Sequence, residues 1–153
     1  MMDLCFAADK TLGRLAKWLR ILGFDTLYDP GLPAGCFSNL ESNRTLLLRR
    51  DPLRRDPNDH SYIVIRSDHY WEQLVEVIRA AGITPELIQP FSRCIRCNAT
   101  LMPAKKEYLQ GRVPDYVWQT HDRFCICRGC QRIYWAGSHI ERSMERISGL
   151  FNT

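Results

Sequence analysis

The sequence predicts an α/β chain: an open parallel sheet first, then a small module built around paired cysteines. Three observations lead there. Four short apolar, β-prone stretches, Leu4 to Ala8, Thr26 to Tyr28, Leu46 to Leu48 and Tyr62 to Ile65, run out at Asp9, Asp29, Asp51 and Asp68. Segments with helical spacing alternate with these strands, the order from which parallel sheets are built. Beyond residue 90 that alternation stops, and two Cys-x-x-Cys pairs appear, Cys94 with Cys97 and Cys127 with Cys130.

After the first strand, Leu12, Leu15, Ala16, Leu19 and Leu22 recur at helical spacing, and Gly23 is the natural stop. The opposite face of this helix offers Lys10, Arg14, Lys17 and Arg20, a basic rim directly after Asp9 that suits a phosphate-bearing substrate. The plainer account is that such a face only solubilises the helix. The second strand exits through Asp29-Pro30-Gly31-Leu32-Pro33, and a weakly helical segment, Phe37 to Asn43, follows.

The third strand, Thr45 to Arg49, is the most emphatic. Only nine residues separate Asp51 from Ser61, a tight link for a parallel crossover, which ordinarily takes about a dozen. The fourth strand leads through Ser67 and Asp68, the latter at an N-cap position, into Tyr70, Leu74, Val77, Ile78 and Ala81, a helix stopped by Gly82. Pro85 and Pro90 then break the pattern, which divides the chain into a first domain, 1–88, and a second, 89–153.

Parallel strands bring their carboxyl ends to one edge, where open α/β sheets place their ligands. Asp9, Asp29, Asp51 and Asp68 gathered there would repel one another unless a hard cation, Mg²⁺ or Mn²⁺, neutralised them. That is the layout of a metal-dependent phosphodiester-cleaving site. Each aspartate also has a structural explanation: Asp29, Asp51 and Asp56 precede proline, a routine turn opener, and Asp68 can cap a helix. A turn, however, needs no carboxylate repeated at the same end of successive strands.

Seven cysteines would be dense for a cytosolic protein unless some of them hold metal. Two Cys-x-x-Cys pairs supply the four thiolates of a tetrahedral Zn²⁺, which is how a zinc ribbon coheres with almost no apolar core. Gly129 inside the second pair permits a tight turn. The 29 residues between the pairs read as hairpin strands carrying Tyr116, Trp118 and Phe124. Cys125 reads as an inward-facing strand residue, and Cys5 and Cys36 as small buried hydrophobes. Ser138 and Glu141 suggest a capping box for a last amphipathic helix through Ile140, Met144 and Ile147 that docks on one of the two modules.

No apolar run approaches the roughly 20 residues of a membrane span, and no basic-then-apolar leader opens the sequence, which points to a cytoplasmic protein without a membrane partner. The net charge of +4 is uneven: residues 1–90 carry 11 Lys+Arg against 12 Asp+Glu, and residues 91–153 carry 10 against 5. Arg112 and Arg128 are interleaved there with Tyr108, Tyr116, Trp118, Tyr134 and Trp135, the mixture that grips single-stranded nucleic acid. For Tyr134 and Trp135, packing within the small module is the better reading.

Taken together, Phe6-Ala7-Ala8-Asp9, Leu12-Gly13-Arg14-Leu15-Ala16-Lys17-Trp18-Leu19-Arg20, Arg50-Asp51 and Phe91-Ser92-Arg93-Cys94 resemble the Mut-seven C-terminal ribonuclease domain family. So do Gly111-Arg112-Val113-Pro114, Cys127-x-x-Cys130 and Tyr134-Trp135-x-Gly137-x-His139. The resemblance implies a PIN-like nuclease fold, an open parallel sheet with helices on both faces, joined to a zinc ribbon. It also implies RNA as substrate, hydrolysed with Mg²⁺ or Mn²⁺ held by Asp9, Asp51 and Asp68, with Asp29 beside them. Lys10, Arg14, Lys17, Arg20, Arg50, Arg112 and Arg128 would then seat the RNA. Three departures stand out: Glu41 is a distant substitute for the family's acidic residues after the second strand, Arg49 occupies the place of the Thr in its Thr-Arg-Asp strand end, and the helix expected after it is shortened into the proline-rich link. The rival expectation is a non-catalytic, RNA-binding or ribosome-associated adaptor. A phosphatase reading would want an Asp-x-Asp pair or a late lysine, and neither is present.

Overall fold

The computed structural model describes residues 3–30, 43–52 and 60–152. The chain divides into two compact units, Met1–Pro90 and Phe91–Thr153. Cys36, the segment 37–42 with Glu41, and Asp56 lie outside the described residues.

The first unit is built on four strands, β1 (Cys5–Ala8), β2 (Asp25–Tyr28), β3 (Thr45–Leu48) and β4 (Tyr62–Val64), in the order β2-β1-β3-β4. All three pairings are parallel, with Ala8 opposite both Tyr28 and Leu47, and Leu48 opposite Val64. The short link after Asp51 therefore does carry a parallel neighbour. Cys5–Ala8 is buried at every position, as in a strand covered on both faces. Ala7, Leu46 and Leu48 cluster with Leu27 on one of those faces.

Two helices follow the helical spacing of the sequence. Helix α1 (Gly13–Ile21) buries Leu15, Ala16 and Leu19, and α2 (Tyr70–Ala80) buries Leu74, Val77 and Ile78. Trp18 stacks on Tyr70 at 6.2 Å between ring centroids, and the Arg14 guanidinium lies 4.3 Å from the same ring. The two helices thus pack against each other. Gly13 is required at the start of α1, because a Cβ there would stand 2.8 Å from the Tyr28 hydroxyl, which donates to the Lys10 carbonyl at 3.0 Å. At the opposite end of the strands, Arg44 grips both carboxylate oxygens of Asp25 at 2.8 and 3.0 Å and donates to the Phe6 carbonyl, tying β2 and β1 to the start of β3. No helix among the described residues is long and apolar enough to cross a membrane.

The second unit is a three-stranded antiparallel sheet, β5 (Leu101–Ala104), β6 (Phe124–Cys127) and β7 (Ile133–Trp135), in that order. Pro103 is tolerated because β5 is an edge strand. Its core is Leu109, Val113, Val117 and Phe124, with Trp118, Ile133 and Trp135 packed against it.

Here the structure departs from two expectations. Tyr116 and Trp118 lie not on a hairpin strand but on a short helix, α3 (Asp115–Thr120), after a 3-10 turn at Lys106–Tyr108. Pro114 at its N-cap presets the helical entry, and Val113 and Val117, four apart, both reach the core. The last helix, α4 (Ser138–Gly149), buries Ile147, but its N-cap is Gly137, and no side chain caps it. Extended backbone at Gly137 makes Ser138 the first helical residue, so its hydroxyl is one position too late for a capping box.

Candidate metal centre and sheet edge

The four paired cysteines converge. Their sulfurs all lie within 4.8 Å of one another, with Cys97 3.3 Å from Cys127 and Cys94 3.6 Å from Cys130. Tetrahedral Zn–S bonds of about 2.3 Å put sulfurs about 3.8 Å apart, so this donor set fits Zn²⁺ in number, chemistry and spacing. Backbone N–H groups inside each loop turn toward sulfur: Cys97 N donates to Cys94 Sγ, and Gly129 N and Cys130 N donate to Cys127 Sγ.

The turns are made by other residues than expected. Asn98 and Gln131, each directly after the second cysteine of its pair, take the left-handed backbone at φ 68° and 63°. Gly129 does not supply that conformation; it supplies room, since a Cβ there would sit 3.1 Å from the Ala99 Cβ and 3.3 Å from Cys97 Sγ.

The thiols are electrostatically unequal. Burial pushes Cys94 up, but the Tyr134 hydroxyl and the backbone N–H groups of Cys97 and Arg96 outweigh it and bring the thiol down to about 6. The Ala99 backbone pulls Cys97 down, but burial and hydrogen bonds shared with Cys127, Cys94 and Cys130 push it up to about 11. One sulfur ionises readily and its neighbour resists, which is how crowded thiols share protons and why a dication is favoured among them. Tyr134 Oη lies 3.0 Å from Cys94 Sγ, and burial together with that bond raises its own pKa, keeping it a proton donor to the sulfur. Tyr134 is therefore more than packing; its position seven residues after Cys127 was the only signal. Cys125 is half-buried on β6, beside the cluster rather than in it.

The sheet edge is organised differently. The strand order turns back on itself between β1 and β3, and open α/β sheets bind ligands outside the carboxyl ends at such a switch point. Asp9 stands there. Its N–H donates to the Leu47 carbonyl at 3.0 Å, and Oδ1 accepts from Thr11 N and Oγ1 at 3.0 and 3.1 Å, capping the 3-10 turn Lys10–Leu12. Although Asp9 is buried, Oδ2 takes no hydrogen bond from any described residue. Asp51 comes three residues after the end of β3, the strand beside β1, and is exposed.

Asp29 and Asp68 sit at the outer strands, β2 and β4. Asp29 follows β2 directly, next to the strand that leads into Asp9, and Asp68 comes four residues after the end of β4. Asp68 is also paired with Arg49, whose guanidinium donates to the Ile65 and Ser67 carbonyls as well. Nor does Asp68 cap α2; His69 does, its Nδ1 accepting from Trp71 N at 3.3 Å. Glu76 holds the N–H groups of Arg66 and Ser67 at 2.9 and 2.8 Å, so this strand exit is fastened. Among the described residues, the cysteines alone form a group of three or more metal-type ligands in mutual reach.

Of the basic residues, Lys10, Arg14, Lys17 and Arg50 are exposed in the first unit, and Arg112 and Arg128 in the second. Arg20 is not part of the rim: it is buried, and its Nε donates to the Thr26 carbonyl at 2.9 Å, clamping α1 to β2.

The family model described as the Mut7-C RNAse domain matches residues 5–147. No curated protein and no solved structure matches the chain.

Proposed function

This chain belongs to the Mut7-C RNAse domain family, and on that footing we propose that it is a metal-dependent ribonuclease acting on single-stranded RNA. The observation that carries the reading is Asp9: a buried carboxylate at the switch point of a parallel sheet, with one oxygen spent on capping and the other unused among the described residues. Asp9 and Asp51 would hold Mg²⁺ or Mn²⁺ there, and such an ion supplies positive charge against that developing on the scissile phosphate. Lys10, Arg14, Lys17 and Arg50 draw the phosphodiester toward the crevice and orient it. Asp68, balanced by Arg49, and Asp29 shape the field at the flanks. The cysteine unit, with zinc on Cys94, Cys97, Cys127 and Cys130, extends the grip on the strand through Arg112 and Arg128.

The test is cleavage of a labelled single-stranded RNA with and without Mn²⁺, beside Asp9→Asn and Asp51→Asn. Asparagine caps a turn as well as aspartate, so Asp9→Asn isolates the charge. Wild type should cleave only with Mn²⁺, and each variant should lose activity by about 100-fold or more with the thermal midpoint unchanged. Full activity in either variant overturns the assignment. The Arg49–Asp68 pair favours a second reading, an RNA-binding adaptor whose edge no longer assembles three acids. It predicts salt-sensitive RNA binding by wild type without Mn²⁺-dependent turnover.

A further inference from the structure

The second unit carries five tyrosine and tryptophan side chains, and three of them are engaged within it. Trp118 Nε1 donates to the Lys106 carbonyl at 3.0 Å, with the Lys106 ammonium 5.0 Å from its ring; Tyr134 is bonded to Cys94; Trp135 packs on the core. Tyr108 and Tyr116 are not so engaged. They are 72% and 69% exposed, well above Tyr62 and Met102, and neither side chain makes a hydrogen bond or ring contact with any described residue.

Both rings stand on firm ground. Tyr108 ends the 3-10 turn that begins at Lys106, Tyr116 lies on α3, and the Trp118–Lys106 hydrogen bond fastens those two elements together. Leu109 and Val117, the residues directly after the two tyrosines, are buried in the core. A tyrosine held this way offers a flat face with only two torsions to fix. The surrounding segment, residues 91–153, carries 10 Lys+Arg against 5 Asp+Glu; Lys105 and Arg112 are exposed near Tyr108, and the exposed acids Glu107 and Asp115 directly precede the two tyrosines.

We infer that Tyr108 and Tyr116 are stacking seats for unpaired nucleobases of RNA, with the neighbouring cations meeting its phosphates; this rests on the ribonuclease reading above. Positive charge beside exposed rings fits a polyanion with accessible bases, and a duplex, whose bases are stacked on each other, does not offer those faces.

The experiment measures binding of the full, zinc-loaded chain to a short fluorescent oligouridylate by anisotropy, without Mn²⁺, and cleavage of the same RNA with Mn²⁺. Tyr108→Leu and Tyr116→Leu should each weaken binding about tenfold, the double variant more, while Tyr108→Phe and Tyr116→Phe bind as wild type. An abasic strand of equal length should bind wild type as weakly as the uridylate binds the double Leu variant. Undiminished binding by the double Leu variant overturns the inference in favour of a protein partner for these rings, and leaves the nuclease reading standing if cleavage persists. Phe variants that fall as far as Leu also overturn it, since a hydroxyl contact would then be responsible. Wild type that binds through both tyrosines but does not cleave upholds the seats and overturns the nuclease reading; wild type that binds no RNA overturns the inference.

Discussion

The cysteine cluster and the aspartate edge are both sets of four metal-type ligands, and they differ in how the chain brings them together. Each cysteine pair is local, i and i+3, and the antiparallel pairing of Leu101 with Cys127 sets the second pair close to the loop that holds the first. Two short-range relations and one strand pairing thus produce one point. The aspartates come from four separate strand ends, and a sheet spreads them at about 4.8 Å per strand. A repeated residue at the same end of successive strands makes a row, and only the inner pair of that row, Asp9 and Asp51, flanks the switch point.

The largest expected effect falls on the cysteines. Cys97→Ser, or removal of metal with a chelator, should melt the second unit, because structural Zn²⁺ contributes on the order of 10 kcal/mol and this unit's core is small. Limited proteolysis and metal content read this out, with residues 91–153 cut rapidly and the first unit resistant. If the second unit stays protected, the ligands are not what holds it together.

At the opposite end of the sheet from Asp9, Arg44→Ala should destabilise the first unit by about 3 kcal/mol, since it leaves Asp25 without its bidentate partner. Denaturant unfolding followed at Trp18 measures this. A much smaller loss would mean that the sheet does not depend on its non-functional end.

Tyr134→Phe removes one hydrogen bond to Cys94 Sγ and should weaken zinc affinity about tenfold with the fold retained, by competition with a chromophoric chelator. Unchanged affinity would return Tyr134 to packing.

The smallest effect is expected at Arg49→Thr. The Asp68 partner is almost fully exposed, so stability should change by less than about 1 kcal/mol. Calorimetric Mn²⁺ affinity should stay the same if Asp68 lies outside the site. A marked tightening would bring Asp68 back into it and show that Arg49 competes with the cation.

Most of the framework was legible. The four strands, α1, α2 and the cysteine set follow from apolar periodicity and from a ligand spacing that admits few alternatives. The misread elements fail for physical reasons. Tyr116 and Trp118 look like strand residues because aromatic side chains favour sheet, but they follow Pro114 into a short helix that Val117 anchors in the core. Arg20 counts as a surface cation by type, yet the Thr26 carbonyl gives it a buried partner. Asp68 and His69 compete for one cap, and the histidine ring wins it.

By itself the sequence determined which ligands exist and in what order, since spacing and periodicity are properties of neighbours along the chain. It determined the four-cysteine set, because two i, i+3 pairs need only one antiparallel strand pairing to meet. The tertiary structure alone decided where each aspartate falls along the sheet. Strand order β2-β1-β3-β4 is a long-range property, and it puts Asp9 and Asp51 after neighbouring inner strands and Asp29 and Asp68 after the two outer ones. It also decided which tyrosines are left to meet a partner, because burial depends on what folds against a ring and not on what precedes it.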